Sequence, residues 1–203
     1  MLQCGKAVMR RIHQFGYASR YFVGHGIDVG SGGDPLSQYK DQFPGMLSCR
    51  DWDLNDGDAQ LLASVNDNSY DFLHSSHCLE HVHDPIEALN NWFRVIKPLG
   101  HMVVQVPDED LYEQGRWPSH YNNDHKCTFT IDKRRSWSPV SRNVTDVLKT
   151  LPETARIIKI EWLDCGFLTA LRYVDQTTPV YISESAIEFV VRKEVNALSH
   201  AAN

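Results

Sequence analysis

Residues 24–36 read GHGIDVGSGGDPL. A short apolar run carrying Ile27 and Val29 leads straight into a turn that holds Gly30, Gly32 and Gly33, which is the signal of a strand ending in a tight loop. Glycines let the backbone bend sharply there and approach a ligand closely. Asp28 precedes the first glycine by two positions, and Asp51 follows it by 21. An acid near that distance, at the end of the next strand, is suited to hold ribose hydroxyls. The dinucleotide fingerprint G-x-G-x-x-G is not met, because Pro35 stands at its third glycine, so a nicotinamide dehydrogenase is disfavoured.

Outward from this turn the chain alternates strand and helix. Residues 6–20 read as an opening helix, GMLSCRDWDL as a second strand and YDFLHSS as a third, followed by HCLEHV. The best-marked helix runs from Pro85 to Ile96. Asp84 is its cap, Pro85 its first residue and Glu87 the partner of a capping box, with Ile86, Leu89, Phe93 and Ile96 on one face. HMVVQVP is a buried-type strand. Residues 107–140 lack periodicity but carry Tyr112, Trp117, Tyr121, Phe129 and Trp137, so they read as an ordered functional loop. A helix around 141–150, strands in ARIIKIEWL and SAIEFVVRK, and a frayed NALSHAAN tail complete the chain. The pattern predicts an α/β fold with a mostly parallel sheet, whose ligands sit at the carboxyl ends of the strands.

Composition bounds the function. The 203 residues suit a single domain, 42% of them apolar and 23% charged, as in ordinary globular chains. A net charge of −6 argues against nucleic acid as the main partner. No apolar run reaches the length of a membrane span. Lys6, Arg10 and Arg11 interrupt the stretch where a secretory signal needs apolar residues. Cys4, Cys49, Cys78, Cys127 and Cys165 are odd in number and widely spaced, which suits a reduced, cytoplasmic protein.

Taken together, these segments resemble the class I S-adenosylmethionine-dependent methyltransferases, in a small, type-11-like branch. GIDVGSGG is similar to the family's acid-x-Gly-x-Gly motif, and Gly57–Ala59 to its adenine-contacting motif. Residues 68–108 resemble its fourth strand through its fifth. The resemblance spans about residues 24–108. It implies a Rossmann-like, doubly wound sheet with a C-terminal antiparallel hairpin, and one domain over 1–203. Residues 1–22 would form its N-terminal helix, 24–108 the cofactor-binding core, 107–140 an acceptor-side lid, and 141–193 a helix and strand pair. It implies S-adenosyl-L-methionine as cofactor. Asp28 would orient the loop and the methionine amino group, with Gly30, Ser31 and Gly32 lining the methionine and ribose. Asp51 would take the ribose diol and Trp52 cover an adenine face. Asp58 and Ala59 would meet the adenine edge, and Ser76 would lie under the sulfonium. Simpler readings stand beside these: Asp53 in place of Asp51, Trp52 as core, Asp58 as a cap on a helix in AQLLASV. Two departures from the family point to a trimmed first helix and third strand. Only 13 residues, Asp34–Met46, separate the loop from the second strand, and only Leu54, Asn55 and Asp56 separate DWD from GDA.

HCLEH at 77–81 also matches H-x-x-E-H, a zinc-hydrolase pattern if it lies on a helix. The alternative reading is a helix-start hydrogen-bond pair, Glu80 with His81, and no metal is expected. His125 and His77 are the candidate bases for a hydroxyl acceptor, since imidazole titrates near neutral pH. Tyr112, Trp117, His120 and Tyr121 could stack on a sugar or form a plain apolar cluster. The expected activity is methyl transfer to a hydroxyl of a small molecule or glycan, the latter suggested by a fainter likeness of DEDLYEQ and NNDHKCTFT to enzymes of cell-surface polysaccharide pathways. The alternatives are a nitrogen acceptor or a silent adenosylmethionine-binding module. The acceptor would be a small molecule or carbohydrate, and a homo-oligomer is compatible with the chain.

Overall fold

The computed structural model describes residues 2–178 and 180–195; NALSHAAN lies outside them. Helix α1 spans Gln3–His13 and a short α2 Tyr17–Arg20, the break falling at Gly16 with φ +73°. Strands β1 (Gly24–Val29), β2 (Met46–Trp52), β3 (Tyr70–Ser76) and β4 (Ile96–Pro107) form the parallel part of a sheet. Helix α3 spans Pro85–Val95. A small parallel pair, β5 (Thr128–Thr130) and β6 (Ser141–Asn143), leads into α4 (Val144–Leu148). Strands β7 (Ala155–Leu163) and β8 (Ala186–Lys193) form the antiparallel hairpin.

The six-stranded sheet has the order β2-β1-β3-β4-β8-β7. Strand order reverses between β1 and β3, so a crevice opens at their carboxyl ends. The trimming expected from the spacing is present. The loop-to-β2 connection holds a 3-10 helix, Leu36–Gln42, in place of a full helix, and residues 53–69 form successive turns with no strand. AQLLASV is therefore not a helix. The capping of α3 also differs in detail from the expected box. Asp84 accepts from Ile86 N and Glu87 N, but the Asp84 N–H donates to Gln60 Oε1 (2.9 Å) and not to Glu87. Ile86 is exposed; the buried face of α3 is Ala88, Leu89, Trp92, Phe93 and Val95.

Alternation along the strands sorts side chains onto two faces. Ile27, Val29, Trp52, Leu73, Val104 and Phe189 meet α3 and α4 in the larger cluster. Phe72, Val103 and Val190 meet Val8, Tyr17, Phe22 and Leu36 under α1 and α2. This second face is partly polar. Arg11, fully buried, donates from Nε to Glu188 Oε2 (2.9 Å) and from Nη1 to His74 Nε2 (3.0 Å). Arg10, Tyr17 and Lys159 also donate to Glu188. Burial pushes the Glu188 carboxyl up, but Arg11 and then Arg10 outweigh it and hold it far below its ordinary value.

A buried pair broken on one side costs about 3–5 kcal/mol, and Glu188→Gln is expected to lose that much in urea unfolding. The sign in pH follows from the depressed value. The Glu188 contribution is fully present above the ordinary glutamate value of 4.5 and is lost as pH falls below it. Stability–pH curves should therefore show a shallower acid decline in Glu188→Gln than in the native chain.

Candidate active site

Strand β1 delivers Asp28 and then the glycine turn to the crevice. Gly30 has φ +75°, and a Cβ there would stand 2.5 Å from Cys78 Cβ, so glycine is required on both counts. Gly32 has φ +52° with open space around it, as has Gly33. The turn is pinned by Gly30 N and Ser31 N, which donate to Trp52 O at 2.9 and 3.2 Å. Asp28, 2% exposed, holds it from beneath: Oδ2 accepts from Leu36 N (2.7 Å) and Oδ1 from His74 Nδ1 (2.6 Å). Since His74 Nε2 accepts from Arg11, its proton sits on Nδ1. The turn and the first turn of α1 enclose a cleft of about 220 Å³ lined by Cys4, Asp28, Ser31, Asp34, His74 and Ser76. Gly5 N donates to Asp34 Oδ2 (2.9 Å), which ties α1 across this cleft. Ser76 Oγ, at the carboxyl end of β3, is buried without a hydrogen-bond partner among the described residues.

Asp51 lies beside Asp28 in register and on the same side of the sheet, where it accepts from Ser37 Oγ (2.9 Å). Asp53 instead closes a turn with Asp56, donating from N to Asp56 Oδ2 (3.1 Å). Trp52 corrects an expectation. It points to the opposite face, is 1% exposed, and donates from Nε1 to Gly57 O (3.3 Å), so it is core and offers no open face to an adenine. Asp58 accepts from Gln60 N (2.7 Å), which makes it the cap of a turn, and Ala59 O accepts from Trp92 Nε1 (2.7 Å). Both sit at the exposed rim left open by the missing strand.

His77 and His125, 48 positions apart, are brought to one carboxylate. HCLEH is not a helix: His77 takes φ +55°, and only Leu79–His81 form a 3-10 turn. This turns Glu80 inward, fully buried, with His77 Nδ1 3.3 Å from Oε1 and His81 Nε2 and His125 Nε2 each 4.0 Å from it. Burial pushes the Glu80 carboxyl up, but His77, His125 and His81 hold it below its ordinary value. The helix-start pair is thus replaced by a three-histidine ring around Glu80. Of the aromatic segment, Tyr112 stacks against His125 with centroids 5.3 Å apart and meets Tyr121 at 5.7 Å, while His120 is exposed. Trp137 belongs to a separate open cleft of about 360 Å³ with Asp110, Gln114, Phe167, Arg172 and Tyr173. Glu113, which accepts from His125 Nδ1 (2.6 Å), and the Arg11–Glu188 pair had no marker in the sequence. The Asp28–His74 pair had one, since both residues lie in corresponding places on apolar strands.

A mostly parallel sheet with an antiparallel C-terminal hairpin, and an acid-anchored glycine turn at its switch point, define a class I adenosylmethionine-dependent methyltransferase. The methyltransferase-domain family matches residues 9–137, and the chain belongs to that family, with S-adenosyl-L-methionine as cofactor. No curated protein matches the sequence. Among solved structures, the chain is similar in fold to an adenosylmethionine-dependent methyltransferase from Archaeoglobus fulgidus (17% identity, 93% of each chain, TM-score 0.59). A second, from Mesorhizobium loti, is 15% identical over 94% of this chain and 98% of that one (TM-score 0.55). A third lies in a complex of the Haloferax volcanii Trm112 methyltransferase activator with a methyltransferase (16%, 96% and 90%, TM-score 0.58). The residues present fit the cofactor: glycines bare of Cβ at the turn, a cleft beside it, and the orphaned Ser76 hydroxyl facing it.

Gly30→Ala sets a methyl group against Cys78 and a positive φ against a side chain. It is expected to cost about 1–3 kcal/mol of stability and to lower adenosylhomocysteine affinity at least about tenfold, or roughly 1.4 kcal/mol, measured by calorimetry. Gly32→Ala, with space around it, should change stability less.

Proposed function

We propose that the enzyme methylates a hydroxyl of a small molecule or sugar, with a histidine–carboxylate pair taking the proton. The observation that carries the reading is the His125–Glu113 contact: Nδ1 donates to Glu113 Oε1 at 2.6 Å, which fixes the ring and leaves the Nε2 lone pair directed into the histidine ring. His77 follows Ser76 directly at the end of β3 and is the second candidate base. Its Nε2 is 3.3 Å from Gln105 Nε2, which joins it to β4. The strained φ of His77 is of the kind that collects at working sites.

On this reading Asp28 orients the turn, and Gly30, Ser31 and Gly32 line the methionine and ribose. Asp51 takes the ribose diol from its position on the Asp28 side of the sheet. Asp58 and the Ala59 backbone meet the adenine at the open rim, and Ser76 Oγ lies under the sulfonium. Bound adenosylmethionine supplies an activated methyl group, so the chain's own work is alignment, exclusion of water and removal of one proton. The acceptor side falls to residues 107–140. Tyr112 packs against His125 and Tyr121 against Tyr112, and the cleft at Trp137 offers flat apolar faces beside Asp110 and Gln114, a mixture suited to a sugar ring.

The test is transfer of a labelled methyl group to a panel of sugar, phenol and amine acceptors. Product with hydroxyl acceptors supports the reading; product with amines alone overturns it. His125→Ala is expected to lower turnover by roughly the 10²–10⁴-fold of a general base, with adenosylhomocysteine affinity unchanged. Full turnover in that variant would remove His125 from the chemistry.

A further inference from the structure

We infer that Glu80, His81 and His125 form a binding site for one divalent transition-metal ion. The three ligand atoms lie within 4.8 Å of one another. They come from a 3-10 turn and from the middle of the aromatic segment, so no sequence motif joins all three.

The hydrogen bonds around the ring set the direction of each imidazole. His125 Nδ1 is held by Glu113 Oε1 at 2.6 Å, and His81 Nδ1 by Asp124 Oδ2 at 2.8 Å. Each ring therefore keeps its proton on Nδ1 and presents the Nε2 lone pair to Glu80. A carboxylate behind the distal nitrogen is the usual outer support of a metal-bound histidine, because it fixes the tautomer and makes the ligating nitrogen more basic. Here two such supports converge on one buried acid.

Glu80 supplies the second, independent observation. It is fully buried, and neither carboxylate oxygen has a hydrogen-bond partner among the described residues. His77 Nδ1, 3.3 Å from Oε1, lacks the alignment of a hydrogen bond. A buried carboxylate with neither oxygen hydrogen-bonded is costly unless a cation lies against it. The separations agree: at 4.0 Å, His81 Nε2 and His125 Nε2 are too far from Oε1 to hydrogen-bond to it. Zinc–nitrogen and zinc–oxygen bonds of about 2.0–2.2 Å in a tetrahedral site require ligand separations near 3.4 Å, so the two 4.0 Å separations close by about 0.6 Å and none of the three by more than about 1.4 Å when the ion binds.

Two nitrogens and one carboxylate oxygen select a first-row divalent ion over calcium or magnesium, and three protein ligands leave a coordination position open. The site differs from the H-x-x-E-H arrangement: His77 is not a ligand, Glu80 is a ligand and not a base, and His125 completes the set. With the ion bound, the His125 lone pair serves it, and removal of the acceptor proton falls to His77, the second candidate base, which is not among the ligands. The binding test below uses no acceptor, so its outcome is independent of the acceptor reading.

The test is titration of the full chain, stripped of metal with a chelator, with Co²⁺ and then Zn²⁺. The expected result is one Co²⁺ per chain with visible d–d absorption, displaced by Zn²⁺. His81→Gln, at a half-exposed position, should bind at least a hundredfold more weakly while keeping its circular dichroism. His125→Gln should do the same. If His125→Gln does not fold, His81→Gln still decides the matter. Zn²⁺ should also raise the melting temperature of the native chain and not of His81→Gln. Absence of a Co²⁺ band, or binding unchanged in His81→Gln, would overturn the site and return the ring to acid–base chemistry alone.

Discussion

A guanidinium with no access to water holds the two halves of this molecule together. Arg11 leaves α1 and ends between Glu188 on β8 and His74 on β3. An arginine cannot shed its charge, so its burial demands a carboxylate. Glu188 meets that demand and is itself kept ionised by Arg10, Arg11 and Lys159. The far side of His74 then donates to Asp28, which accepts the Leu36 N–H and so shapes the glycine turn. The position of α1 and the conformation of the glycine turn are consequently one structural fact. Loosening the buried pair would disturb both.

The same network reaches the other end of the crevice. Arg10 donates weakly to Gln105 Oε1 (3.4 Å), and Gln105 Nε2 faces His77 Nε2, so a continuous row of polar side chains runs from the glycine turn to the histidine ring. Polar rows of this kind tolerate no missing member in a low-dielectric interior, which makes them rigid supports. Cys78 lies between the two regions. Burial, reinforced by Glu80, raises its thiol to about 12, so it serves as packing against Gly30 and not as a nucleophile.

Trimming the fold changes what the sheet exposes. With no strand after β2, the edge carrying Asp51 and Asp58 is open to solvent, and Trp52 turns inward to fill the face that a third strand and its helix would help to cover. Trp92 and Arg94 of α3 close the gap by donating to carbonyls of the turns, Trp92 to Ala59 O and Arg94 to Leu62 O and Val65 O. A side chain suggested for the adenine is thereby spent on the core.

Local features were legible in the sequence because their causes are local. The glycine turn follows from residues that alone accept positive φ, α3 from an aspartate cap and a proline at its start, the parallel strands from their apolar runs, and the trimmed connections from loops too short for more. The acid at Asp28 follows in the same way. What only the tertiary structure decided are the contacts between positions separated in the chain: Arg11 with Glu188, His125 with Glu113, and His125 with Glu80. Strand parity decided that Asp51 shares a side with Asp28 while Trp52 does not, and a backbone of positive φ at His77 decided that HCLEH turns Glu80 inward. A sequence records which residues can carry charge or bind a ligand; burial and direction, which determine whether they do, are set by the elements that close over them.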